Sequence, residues 1–261
     1  MSALWGLLIP FIGTTAGAAC VFLLKDELKP RIQKFLLGFA SGVMVAASVW
    51  SLLIPAMNMA EPMGKLAFIP AAVGVLLGMA FLLILDKTIP HLHLGSDTPE
   101  GPEKKLDRAT MMLFAVTLHN IPEGLAVGVA FGLLKGSNYT IESLMSAISI
   151  AIGIGLQNFP EGAAVSLPLR REGYSRKRSF LLGQASGMVE PMAGVLGAIL
   201  VVYVEAILPY ALSFAAGAMI LVAVHELIPE CQSSQEEQPY FATMGIILGF
   251  AVMMLLDVML G

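Results

Sequence analysis

His119-Asn120-Ile121-Pro122-Glu123-Gly124 and Gln157-Asn158-Phe159-Pro160-Glu161-Gly162 agree at four of six positions, and each block sits at the centre of a long apolar run. A carboxylate in the middle of a bilayer costs about 2.5–3.5 kcal/mol even on scales taken from helix insertion, so it is rarely present without a task. Glu190 places a third carboxylate near the middle of another apolar run. None of the 15 Lys and Arg residues lies inside a predicted span to pair with these groups. Glutamates without a basic partner, beside a histidine and several amides, call for a cation that is bound or in transit.

The runs that surround the two blocks decide the fold class. The 261 residues are 57% hydrophobic and only 13% charged, with a mean hydropathy of +0.80. Soluble domains carry about 25% charged residues, so the composition is that of an integral membrane protein. Eight runs are long enough to cross about 30 Å of hydrocarbon at about 1.5 Å per residue. They cover roughly 2–24, 35–57, 66–86, 109–133, 143–169, 179–204, 206–228 and 241–260. The expectation is an all-α integral membrane protein forming one transmembrane domain over 1–261, with loops too short for a second domain.

The net charge of −4 resides in loops, and no basic patch interleaved with aromatics supports nucleic-acid binding. The first run ends at Ala18-Ala19-Cys20 but lacks the basic leading segment of a signal peptide, so it reads as a retained helix. Cys20 and Cys231 are too few for a disulfide framework and read as free thiols. The first, third and fifth connections hold thirteen Lys and Arg residues, while the opposite side holds Lys65 and Lys135. Basic loops face the cytoplasm, which places both termini outside a plasma (inner) membrane.

Further internal matches extend the opening pair. Gly74-Val-Leu-Leu-Gly78-Met-Ala80 resembles Gly245-Ile-Ile-Leu-Gly249-Phe-Ala251, with Asp86 and Asp257 each six residues on. Phe39-Ala40-Ser41-Gly42-Val43-Met44 resembles Phe214-Ala215-Ala216-Gly217-Ala218-Met219, and both helices continue to Leu-Ile-Pro, at 53–55 and 227–229. Gly6, Pro10 and Gly13 share their spacing with Gly187, Pro191 and Gly194. Spans one to three thus match spans six to eight, and span four matches span five. Matched spans lie an odd number apart and must run in opposite directions. The expectation is a 3+2+3 inverted repeat, the arrangement in which transporters bind substrate near the midplane.

His119 and Glu123 are four residues apart and share a helix face, and Gln157 and Glu161 repeat the spacing. Pro122 and Pro160 each remove a backbone hydrogen bond inside their helix. Asn120 and Asn158 lie one position round, and Glu190 adds a carboxylate from the sixth span. This mixed nitrogen and oxygen set suits Zn²⁺ first, with Cd²⁺, Fe²⁺, Mn²⁺ and Co²⁺ as further candidates. Two bridging glutamates also permit a pair of ions about 3.5–4 Å apart.

The two blocks, together with Glu190-Pro191 and His225-Glu226, resemble the ZIP (Zrt-, Irt-like) family of divalent metal transporters. The strings HNIPEGLAVGVAFG (119–132) and QNFPEGAAVSLPLR (157–170) look like its GufA subfamily. The resemblance covers the whole chain and implies uptake of zinc and similar ions into the cytosol. It implies one metal position at His119, Glu123, Gln157 and Glu161. It implies a second at Asn120, Asn158 and Glu190, with Glu123 and Glu161 bridging. Gln157 stands where many relatives have His, and Asn158 where some have Asp. An exit site at the inner end of the seventh span, at His225, Glu226 and Glu230, is implied in the same way.

His91 and His93, in the loop after the third span, are candidates to receive exiting ions. Asp86 and Asp257 either attract cations or cap helix ends. The 16 methionines read as membrane packing, and Gly124, Gly128 and Gly132, spaced by four, permit close helix approach. A metal-selective channel would use the same ligands. An intramembrane metalloprotease would need a second histidine at position 229, which is Pro229. The partners of this reading are a divalent metal substrate and the lipid bilayer. A homodimer is allowed, and no resident cofactor is called for.

Overall fold

The computed structural model describes residues 2–24, 29–92, 101–102, 108–134, 140–203, 207–232 and 240–260. Eight helices in it are long and apolar enough to cross a membrane. They are α1 (Trp5–Leu23), α2 (Pro30–Met59), α3 (Phe68–Thr88), α4 (Ala109–Gly132), α5 (Ile141–Arg171), α6 (Arg176–Val201), α7 (Leu208–Gln232) and α8 (Tyr240–Leu260). No strand occurs among the described residues. The chain is an all-α integral membrane protein.

Local chemistry sets the helix ends. Pro30 opens α2 in the first turn, where its missing N–H costs nothing. Thr140 and Ser143 form a reciprocal cap at the start of α5, and the Ser175 hydroxyl accepts the Arg178 N–H at the start of α6. These starts, together with polar ends such as Arg170-Arg171, make α2 and α5 30 and 31 residues long, beyond the apolar runs themselves. Between α2 and α3 a short 3₁₀ segment, Glu61–Leu66, reverses the chain at Gly64, whose φ is 59°.

Two helices contain π-helical turns. α2 widens into π-helical turns over Ala47–Leu53, and α7 does so over Ala223–Leu227. Each segment ends at the leucine of a Leu-Ile-Pro triplet and is closed by the following isoleucine, with Ile54 N–H bonded to Val49 O and Ile228 N–H to Ala223 O. A proline ring presses on the carbonyl four residues back, and a widened turn relieves that clash. By contrast, α4 and α5 run as helix through Pro122 and Pro160. The expected loss of a backbone bond therefore does not break either helix; it leaves the Leu118 and Leu156 carbonyls without their usual helical donors.

The helices pack in four intimate pairs: α2 with α8, α3 with α7, α1 with α5, and α4 with α6. With no water to exclude, membrane helices associate by close packing, which favours small residues. A Cβ on Gly42 would collide with the carbonyl oxygen of Ile246, and one on Gly217 with that of Val75. Gly42 matches Gly217 and Ile246 matches Val75 in the internal repeat, so matched sequence makes matched contacts. The main apolar core draws on α2, α5 and α7 and includes Met44, Leu52, Ile154, Leu212 and Met219. Large apolar side chains of α3 and α8, such as Leu76, Ile84, Ile247 and Val258, stay exposed on the outside. That surface is suited to lipid.

Candidate metal site

The helix period fixes which side chains of the two blocks turn inward. His119 and Glu123 lie on one face of α4, and Gln157 and Glu161 on one face of α5. Asn120, Glu123, Gln157 and Asn158 are fully buried, and Glu161 and Glu190 are only 5% and 1% exposed. Phe159, within the same block, is 38% exposed and marks the outward face of α5. α6 is interrupted at Met188 between two helical pieces, Arg176–Gly187 and Val189–Tyr203, which puts Glu190 in the first turn of the second piece. A carboxylate there is favoured by the free N–H groups of a helix start.

The polar contacts of these residues are few and specific. Gln157 Nε2 donates to Glu123 Oε1 at 2.6 Å, tying α5 to α4. Asn120 Nδ2 donates to the Ser186 carbonyl of α6 at 3.0 Å. The Thr14 hydroxyl of α1 donates to Glu190 Oε1 at 2.8 Å. Glu123 lies within electrostatic reach of both Glu161 and Glu190.

Seven side-chain oxygens of this group accept nothing: Asn120 Oδ1, Glu123 Oε2, Gln157 Oε1, Asn158 Oδ1, both of Glu161, and Glu190 Oε2. Buried polar atoms in folded proteins are almost always hydrogen-bonded, so seven orphans on six neighbouring residues are an anomaly that a ligand would resolve. Among the described residues no Lys or Arg is buried. Nor, among the described residues, do three His, Cys, Asp or Glu side chains gather closely enough to chelate one ion alone. An ion bound in this arrangement therefore also takes amide oxygens or water.

The polar residues just before Pro229 on α7 do not share one surface. His225 and Glu226 were expected to stand together at the cytoplasmic exit. In the fold they diverge, because neighbouring residues on a helix point about 100° apart. Glu226 is 8% exposed and its Oε2 meets His119 Nε2 at 2.5 Å, which joins α7 to the central group. His225 is exposed and lines a cavity of about 430 Å³ with Leu83, Asp86, Lys87, Gly101 and Pro102. Asp86 Oδ1 lies 3.9 Å from His91 Nε2, and His91 Nδ1 is 2.8 Å from the Ile89 carbonyl. His93 lies outside the described residues. Glu230 is near enough to interact electrostatically with His119 and Glu226. At the opposite end, Ser51 donates to Asp257 Oδ1 at 2.8 Å.

Sequence reasoning missed Thr14 and the Ser186 carbonyl. A lone hydroxyl in an apolar run and a backbone oxygen carry no motif. The π-turn of α7 was also unforeseen, although Pro229 hinted at irregular backbone just before it.

The spanning helices and the buried group of oxygens between them define an integral membrane protein with a polar centre. A family model described as ZIP zinc transporter matches residues 100–257. Zinc transporter ZIP11 of Homo sapiens is 42% identical over an alignment that spans 98% of this chain and 95% of that protein. Zinc transporter GufA of Myxococcus xanthus is 37% identical, covering 95% of this chain and 96% of its own. Zinc transporter ZIPB of Bordetella bronchiseptica is 36% identical, with 96% and 79% covered. The chain belongs to the ZIP transporter family.

Proposed function

We propose that this protein moves zinc and similar divalent ions across the membrane into the cytosol through a binuclear site on α4, α5 and α6. The observation that carries the reading is the group of seven buried acceptor oxygens with no donor, with no buried Lys or Arg among the described residues. Leaving one buried polar group unsatisfied costs about 1–3 kcal/mol, and a divalent ion would satisfy many members of this group together. In the first position His119, Glu123, Gln157 and Glu161 are the ligands. In the second, Asn120, Asn158 and Glu190 are, with Glu123 and Glu161 bridging. The nitrogen and oxygen donors suit Zn²⁺, and Cd²⁺, Fe²⁺, Mn²⁺ and Co²⁺ compete for them.

The two halves are read as an inverted repeat of three helices each around α4 and α5. The matched contacts of Gly42 with Ile246 and of Gly217 with Val75 support it. Basic loops orient both termini outside the plasma membrane. Release to the cytosol passes His225 and the cavity it shares with Asp86. An inside-negative potential drives a divalent ion inward by about 4.6 kcal/mol per 100 mV, at about 2.3 kcal/mol per charge.

The test is uptake by purified protein in liposomes across a panel of divalent ions, for the parent and for Glu123→Ala and Glu161→Ala. Saturable uptake that both variants abolish, without resolvable single-channel currents, is the expected result. Near-parental uptake by both variants would remove the site from α4 and α5. Resolvable single-channel currents would make the protein a channel.

A further inference from the structure

Thr14 is fully buried on α1, far in sequence from every block discussed above, and its hydroxyl hydrogen lies on Glu190 Oε1 at 2.8 Å. Its other acceptor within reach, the Pro10 carbonyl, is at 3.4 Å, so the carboxylate takes the stronger bond. Glu190 Oε2 meets no donor at full hydrogen-bond geometry, and the Asn158 side chain lies near the carboxylate. The hydroxyl has therefore sorted the two oxygens of this carboxylate into one that is firmly held and one that is not.

The surroundings are shaped to keep the threonine in place. A Cβ on Gly162 of α5 would collide with the Thr14 carbonyl oxygen. A Cβ on Gly187 of α6 would come within 2.9 Å of Thr14 Cβ and 3.0 Å of Glu190 Oε1. Gly162, which closes the second block, thus admits the α1 backbone at Thr14, and Gly187 leaves room for the threonine side chain. The internal repeat sharpens the point. Aligning Gly6, Pro10 and Gly13 with Gly187, Pro191 and Gly194 sets Thr14 against Val195 and Glu190 against Ile9. Both members of the pair are polar on one side and both apolar on the other, and Val195 is exposed at the periphery. A threonine placed only for packing has no reason to change together with the glutamate.

We propose that Thr14 is the positioning residue of the second metal position: it holds Glu190 Oε1, so that Glu190 offers the transported ion a single oxygen, Oε2, in fixed orientation. The proposal rests on the reading that Glu190 ligates the cargo. Groups that hold a ligand in place typically account for about 10–100-fold in metal affinity. Thr14→Val keeps the shape and removes the donor, and Thr14→Ser keeps the donor.

The experiment is Cd²⁺ titration of the detergent-purified protein by calorimetry, with uptake kinetics in liposomes for the same variants. For Thr14→Val the expected result is a loss of about 10–100-fold in affinity for one of two ions, the other unchanged. KM for uptake should rise with it. Thr14→Ser should bind both ions as the parent does. Should Thr14→Val fail to fold, Thr14→Ala carries the same expectation. Parental binding of both ions by the donorless variant overturns the proposal, and so does an equal loss in Thr14→Ser. Glu190→Ala separates the two levels of the argument. If it still binds two ions, the second position itself is wrong. If it binds one while Thr14→Val binds two normally, only the role of Thr14 fails.

Discussion

Glu123 and Glu161 hold equivalent places in the two blocks, yet the fold treats them unequally. Glu123 accepts a 2.6 Å hydrogen bond from Gln157, whereas neither oxygen of Glu161 accepts one. The counterpart of Gln157 is His119, whose ring meets Glu226 of α7. Truncating Glu161 to Ala therefore breaks no hydrogen bond and removes two orphan oxygens. Truncating Glu123 to Ala strands the buried Gln157 Nε2, at about 1–3 kcal/mol. The volume deleted is the same, so cavity costs largely cancel. Metal-free Glu161→Ala should thus be the more stable variant by about 1–3 kcal/mol. At about 2–4 °C per kcal/mol for chains near this size, that separates the two melting points by roughly 2–12 °C. Zinc should stabilise the parent by about 2.7 kcal/mol at a hundred times its dissociation constant, and should shift neither variant to that extent. Thermal unfolding in detergent, with and without Zn²⁺, reads both quantities. A Glu123→Ala protein as stable as Glu161→Ala, or a full metal shift in either, would refute the reasoning.

Glu190→Ala should leave one metal ion where crystals of the parent soaked in Cd²⁺ show two, and a parent with a single peak would refute the binuclear reading. His225→Ala should slow uptake in liposomes while calorimetry still finds the central ions; loss of central binding would place His225 in the wrong role. A cysteine at position 225 should react with impermeant reagents from the cytoplasmic side only, and labelling from outside would invert the orientation drawn from loop charges. Gly42→Leu and Gly217→Leu should each destabilise by at least about 1–3 kcal/mol, the usual cost of overpacking, because both would drive a side chain into a neighbouring backbone. Unchanged melting of either variant would contradict the close contact.

Much of the fold could be read from the residues because the signals involved are local or periodic. Apolar length gave eight spans, and the structure has eight helices of spanning length over the same stretches. The ends differ most at the start of α2, at 30 against 35, and at the end of α7, at 232 against 228, and in α5 the capped turn Thr140–Ser143 carries the helix two residues ahead of its apolar run. The inward face of the two blocks follows from the four-residue spacing, and burial of Glu123, Gln157 and Glu161 accords with it. What hydropathy could not supply was contact between distant segments. Thr14 and Glu190 are 176 residues apart, and the Asn120 amide bonds to a backbone oxygen that has no signature in sequence.

The divergence of His225 and Glu226 shows where a reading by proximity stops. Adjacent residues near a helix end were grouped as one mouth, though the helix period alone separates them by about 100°. The π-turn at Ala223–Leu227 then adds its own displacement, bringing Glu226 against His119 while His225 faces the cavity with Asp86. The matched turn on α2 carries Ser51 and Leu52 in these places, and Ser51 bonds to Asp257. Two similar backbone irregularities thus hold different chemistry, one aiming a carboxylate at the central histidine and the other closing a hydroxyl onto an aspartate. Similar backbone supplies the geometry of both turns, and different residues at the matched positions give each its own chemistry. Glu226 of α7 thus meets His119 of the first block, whereas the residue that matches it on α2 is the apolar Leu52.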